Sequence, residues 1–143
     1  MLFLGHSGSG KTTLARLLAD HFTILRDDRV FIQMQKDRSF LAKGTKESSD
    51  THEVHSIIRI FGAEQAEISP MSQAKTCEYL MDAVFEIDFQ QKSRNIKHEQ
   101  QWFIQCAHLA RHCPGWLLHF SLDPGDVIHQ LQKTDTSDTF SIN

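Results

Sequence analysis

The sequence predicts an α/β domain, and three observations carry that prediction. Short apolar runs rich in β-branched and aromatic residues alternate with stretches whose apolar residues recur at helical spacing. The length of 143 residues suits one domain, since domains most often run about 100–150 residues. With 40% hydrophobic and 23% charged residues, the composition is that of an ordinary globular chain and excludes a largely disordered one.

The elements follow in order. Leu2–Leu4 is an apolar run ending in glycine, the tail of a buried strand. Gly5–Gly10 is a glycine-rich loop. Lys11–Phe22 reads as a helix, with Leu14, Leu17, Leu18 and Phe22 on one apolar stripe. Ile24-Leu25 and Val30-Phe31-Ile32 are strand pieces around the polar corner Asp27-Asp28. From Lys36 to Ser56 the periodicity is lost, and Gly44–Asp50 has the composition of a loop. Ile57-Ile58-Arg59-Ile60-Phe61 reads as a buried strand. Ser69-Pro70 punctuates the chain, and Ser72 is a natural N-cap for a helix to about Phe85. A second helix spans about His98 to His112 and stops at Pro114-Gly115. Trp116–Leu122 is a strand, and Asp123-Pro124-Gly125 turns into a short helix to about Leu131. The domain is expected over 1–132. Lys133–Asn143, mostly Thr, Asp and Ser, is expected to be a flexible tail.

Gly5-His6-Ser7-Gly8-Ser9-Gly10-Lys11-Thr12 matches G-x-x-x-x-G-K-[ST] at every fixed position. Glycines let the backbone curl so that successive N–H groups point at phosphate oxygens. The helix that follows adds its positive dipole end. Lys11 is the point charge for the β- and γ-phosphates, and the Thr12 hydroxyl is a Mg²⁺ ligand. Gly5, Ser7, Gly8, Ser9, Gly10, Lys11, Thr12 and Thr13 are thus the expected ATP-binding set. A random chain of this length would match with a probability of about 0.5%, so chance is a poor explanation.

A phosphate loop needs an acidic partner for its metal. Asp27-Asp28 follows after only one helix and one short strand piece. One carboxylate can hold Mg²⁺ while the other accepts the proton of an attacking hydroxyl. The plainer reading of the pair, set against this one, is a polar strand corner or an N-cap.

The loop, the helix and Ile24-Leu25-Arg26-Asp27-Asp28-Arg29-Val30 together resemble the kinase domain of the HPr kinase/phosphorylase family. The stretch Ile57–Phe61, Glu64-Gln65-Ala66 and Ile68-Ser69-Pro70-Met71-Ser72 is similar to the shorter HPr-kinase-related proteins. The resemblance implies a P-loop nucleotide-binding core of the HPr kinase / phosphoenolpyruvate carboxykinase type, a mixed sheet with flanking helices. It implies ATP and Mg²⁺ as ligands and γ-phosphoryl transfer to a serine of a protein or peptide. Asp27 is then the general base and Lys11 its catalytic partner, with Thr12 and Asp28 on the metal. The chain begins just before the loop, so the upstream strand and histidine of HPr kinases are expected to be absent. Two other readings stand beside this one: an ATP-binding module without phosphotransfer, and a small-molecule kinase.

The remaining composition narrows the classes. A formal net charge of −3 argues against a protein built to grip nucleic acid. The Phe-rich, Tyr-poor aromatics form no stacking platform among basic residues. No apolar run is long enough for a membrane span, and the opening Met1-Leu2-Phe3-Leu4 leads to no expectation of a signal peptide. The odd cysteine count points to a reducing, cytoplasmic compartment. Nine histidines and three cysteines raise a metal question. Spacing answers it for Cys106–Cys113. On a helix Cys106 and Cys113 share one face, with Trp102 and Leu109, while His108 and His112 lie nearly opposite. His52-Glu53-Val54-His55 lacks the i, i+4 histidine spacing of a zinc protease and reads as a loop. Arg29 can neutralise the acidic pair, and Arg59, a charge in an apolar strand, is expected at a cleft or a sheet edge.

Overall fold

The computed structural model describes residues 1–23, 29–44, 51–89 and 96–136. Their elements are β1 (Leu2–Leu4), α1 (Lys11–Leu18), β2 (Val30–Met34), β3 (Phe40–Gly44), β4 (Thr51–Glu53) and β5 (Ile57–Gly62), then β6 (Glu67–Met71), α2 (Gln73–Phe89), α3 (Ile96–His112), β7 (Gly115–Phe120) and α4 (Pro124–Thr136). The class is mixed α/β. A four-stranded sheet has the order β1-β5-β7-β6, and a three-stranded sheet has the order β2-β3-β4. In the larger sheet β1, β5 and β7 are parallel, and β6 runs antiparallel at the edge.

The larger sheet is covered on both faces. Ile58 and Ile60 of β5 and Leu118 and Phe120 of β7 pack against Leu14 and Leu18 of α1 and Val127 and Leu131 of α4. Leu4 and Ile57 face the other way, toward Cys77 and Leu80 of α2 and Cys106, Leu109 and Cys113 of α3. Helices on both faces explain why β5 reads as a continuous apolar run. Phe40 and Ala42 of β3 join the same core as α2 and α3, which anchors the small sheet.

Several boundaries differ from the sequence reading. Helix α1 ends at Leu18, where the amides of His21 and Phe22 both turn back to the Leu18 carbonyl. Phe22 therefore leaves the apolar stripe and is 38% exposed. The stretch without periodicity contains β3 and β4, and His52 pairs with Ala42 in a strand where a loop was expected. Pro70 lies inside β6, opposite Trp116. An edge strand tolerates proline because its outer N–H positions need no partner. Ser72 does cap α2, its Oγ accepting from the Lys75 N–H at 3.2 Å. Helix α2 runs on to Phe89, and α4 runs past Leu131 to Thr136. Thr134 is buried, and its hydroxyl donates to the Leu131 carbonyl at 2.7 Å, so Lys133–Thr136 continues the helix. Residues 137–143 lie outside the described part. Among the described residues no helix is long and apolar enough to cross a membrane.

Cys77, Cys106 and Cys113 are free and buried. Burial pushes the thiols of Cys106 and Cys113 up to about 11 from an ordinary 9.0. Cys113 also donates its S–H to the Val54 carbonyl at 3.1 Å. The folded state thus holds these protons more tightly than the unfolded chain. Their contribution to stability is full below pH 9 and declines as pH rises from 9 toward 11. Native protein at pH 8 is expected to resist thiol labelling, with all three cysteines reacting after denaturant unfolding. Fast labelling of Cys106 or Cys113 in the native state would contradict this.

Candidate functional site

Because β1, β5 and β7 are parallel, their carboxyl ends meet at one edge of the sheet. Ligands of open α/β sheets bind at such an edge. The Gly5–Thr12 loop leaves β1 here and opens α1. Gly8 and Gly10 have φ of 80° and 93°, the left-handed region that glycine enters without penalty. Gly10 also lies on the Phe120 ring, where a Cβ would stand 2.6 Å from Cζ. At Gly5 a Cβ would collide with the Ser9 hydroxyl. Gly8 and Gly10 are therefore required by the backbone as found, and Gly5 by the Ser9 and Ile60 side chains packed on it.

The loop presents donors with few acceptors. No side chain caps α1 at Gly10, and the Leu14 N–H, bonded to the Gly10 carbonyl at 2.8 Å, closes the first turn. The N–H groups of Lys11, Thr12 and Thr13 precede that bond, so the helix geometry gives them no partner. Ser9 Oγ is buried without a hydrogen bond, while its N–H donates to the His6 carbonyl at 3.0 Å. The Lys11 ammonium folds back onto the loop, donating to the carbonyls of Gly5 and, at 2.8 Å, of His6. Left-handed glycines, an uncapped helix start, an orphaned hydroxyl and one lysine together fit a phosphate group.

Gly5, Ser7, Gly8, Ser9, Gly10, Lys11, Thr12 and Thr13 are thus gathered in one loop and the helix turn it opens. Thr12 is exposed there, an oxygen donor suited to a hard cation such as Mg²⁺. Asp27 and Asp28 lie outside the described residues. On α3, Cys106 and Cys113 point into the core while His108 and His112 stack on each other, exposed. Among the described residues no three His, Cys, Asp or Glu side chains gather as metal ligands do.

One residue at the loop was missed. Glu86, near the end of α2, accepts the Ser7 N–H through Oε1 at 3.1 Å. Its Oε2 is 3.4 Å from Nδ1 of His6. The Ser7 amide, followed by His6 and Lys11, holds the Glu86 carboxyl below its ordinary value, against a smaller effect of burial. The helix is expected to end at about Phe85, and its run to Phe89 takes in Glu86. A signal was available: a carboxylate in a helix's last turn opposes the dipole and calls for a local reason.

Arg59 occupies neither a cleft nor an edge. It sits on β5, between β1 and β7, in register with Leu4 at the root of the loop. The residue is 3% exposed. Its guanidinium carbon lies 4.7 Å from the Tyr79 ring centre and 5.2 Å from that of Phe61. These two rings stabilise the buried cation, and its Nε has no hydrogen-bond partner. No family model, no curated protein and no solved structure matches the chain.

Proposed function

We propose that the chain is an ATP-dependent serine kinase of the HPr-kinase-like class, acting on a protein or peptide. The observation that carries this reading is the Gly5–Thr12 loop, with left-handed Gly8 and Gly10 and an uncapped α1 at the carboxyl edge of the parallel strands. The loop and first-turn amides hold the phosphates in line for transfer, and Lys11 balances charge on the β- and γ-oxygens. Thr12 and Asp28 are the proposed Mg²⁺ ligands. Held there, the metal would supply charge neutralisation to the polyphosphate. Asp27 takes the proton of the acceptor serine as its oxygen bonds to the γ-phosphorus. The bond to the β-phosphate oxygen breaks, and ADP leaves.

The test uses the purified chain with Mg-ATP radiolabelled at the γ-phosphate and a cell extract as the source of acceptor. Label should appear as phosphoserine with the wild type. Asp27→Asn should lower transfer by at least about 100-fold while leaving ATP affinity within about threefold. Label-free extract with wild-type enzyme would overturn the kinase. A second reading, an ATP-binding module that acts on a partner without phosphotransfer, draws on the same uncapped loop, whose donors serve phosphate whether or not a base is within reach. In that case Mg-ATP binds and no label moves.

A further inference from the structure

We propose that Glu86 gates the loop against the terminal phosphate: its carboxylate holds the Ser7 N–H and must leave before a triphosphate is fully bound. The proposal rests on the nucleotide reading above and adds a specificity-determining residue to it.

The geometry supports this in three steps. First, Ser7 lies in the loop before the Gly10 N-cap, so its amide is a donor separate from the uncapped first-turn amides of α1. Second, the Lys11 ammonium is bonded to the Gly5 and His6 carbonyls, which places the lysine that serves β- and γ-phosphates beside Ser7. Third, Glu86 meets this same point with both oxygens, one on the Ser7 amide and one facing His6. A carboxylate and a terminal phosphate are both anions seeking the same donor. They cannot share it without strong repulsion. A triphosphate therefore displaces Glu86, whereas a diphosphate that ends at the helix turn leaves it in place. Glu86 is partly exposed, with a side-chain accessibility of 38%, so it can swing aside without unfolding α2.

The experiment is calorimetric titration of wild type, Glu86→Gln and Glu86→Ala with Mg-ATP, Mg-ADP and magnesium tripolyphosphate. Removing the charge should tighten Mg-ATP and tripolyphosphate by about threefold to tenfold, with Glu86→Ala at least as effective. Mg-ADP should change by less than about twofold. With a wild type that binds Mg-ATP, unchanged or weaker binding in both variants, or an equal gain for Mg-ADP, overturns the gate. The nucleotide reading has its own control in Lys11→Ala. If none of the three proteins binds Mg-ATP but the two Glu86 variants bind tripolyphosphate more tightly than wild type, the nucleotide reading fails and the gate stands. If no phosphate ligand binds any of the proteins, both fall.

Discussion

Lys11→Ala is expected to abolish Mg-ATP binding, weakening it by at least about 100-fold, while leaving the fold intact. The ammonium is the one cation of the Gly5–Thr12 loop, and it is already directed at the loop through the Gly5 and His6 carbonyls. On binding, it exchanges those neutral acceptors for anionic phosphate oxygens, and charge-assisted hydrogen bonds are about twice as strong as neutral ones. Losing it leaves a polyphosphate facing only dipoles. The fold should tolerate the change. Alanine is the best helix former, and Lys11 begins α1 at a partly exposed position. The carbonyls it leaves can bond to water. Two measurements decide the matter: fluorescence or calorimetric titration with Mg-ATP, and thermal unfolding. Lost binding with Tm within about 2 °C of wild type is the expected pair, by the usual relation of small stability changes to Tm. Unchanged binding would remove the phosphate-loop reading, and with it the kinase and the binding-module proposals together.

The loop was legible because its motif states backbone needs as residue types. Gly8 and Gly10 sit where positive φ is demanded, and Ser9 fits against the bare Gly5 backbone. The β5 strand was legible because burial on two faces leaves an apolar run whose only charge, Arg59, stands out. What was not legible depends on distant pairing. Phe40 and Ala42 carry the inward face of β3, yet only pairing with β2 and β4 shows Phe40–Gly44 and Thr51–Glu53 to be strands within an aperiodic stretch. Glu86 reaches Ser7 across 79 residues of chain, a contact that no local pattern encodes. Helix ends drifted too: α1 stops at Leu18, where the His21 and Phe22 amides turn back to its carbonyl, and α2 continues to Phe89.

Gly10→Ala is expected to damage both the fold and the site, through two separable costs. The backbone at Gly10 has φ of 93°, where an alanine pays roughly 1–2 kcal/mol. The new methyl would stand 2.6 Å from Cζ of Phe120, a ring that is 4% exposed in the core between the sheet and α1 and α4. Overpacking of this kind typically costs about 1–3 kcal/mol. Together the loss is about 2–5 kcal/mol, a Tm decrease of several degrees to over ten. The two terms come apart in a double-mutant cycle with Phe120→Leu. That change shortens the aromatic ring beneath the loop and on its own costs stability by leaving a cavity. In the Phe120→Leu background, Gly10→Ala should lose only the backbone term, so the double variant should be more stable than the sum of the singles by about 1–3 kcal/mol. Denaturant unfolding of the four proteins measures this coupling. Strict additivity would mean that Phe120 does not support the loop at Gly10. Mg-ATP binding should stay weak in both Gly10→Ala proteins, because relieving the ring contact does not restore the left-handed turn that aims the loop amides at phosphate.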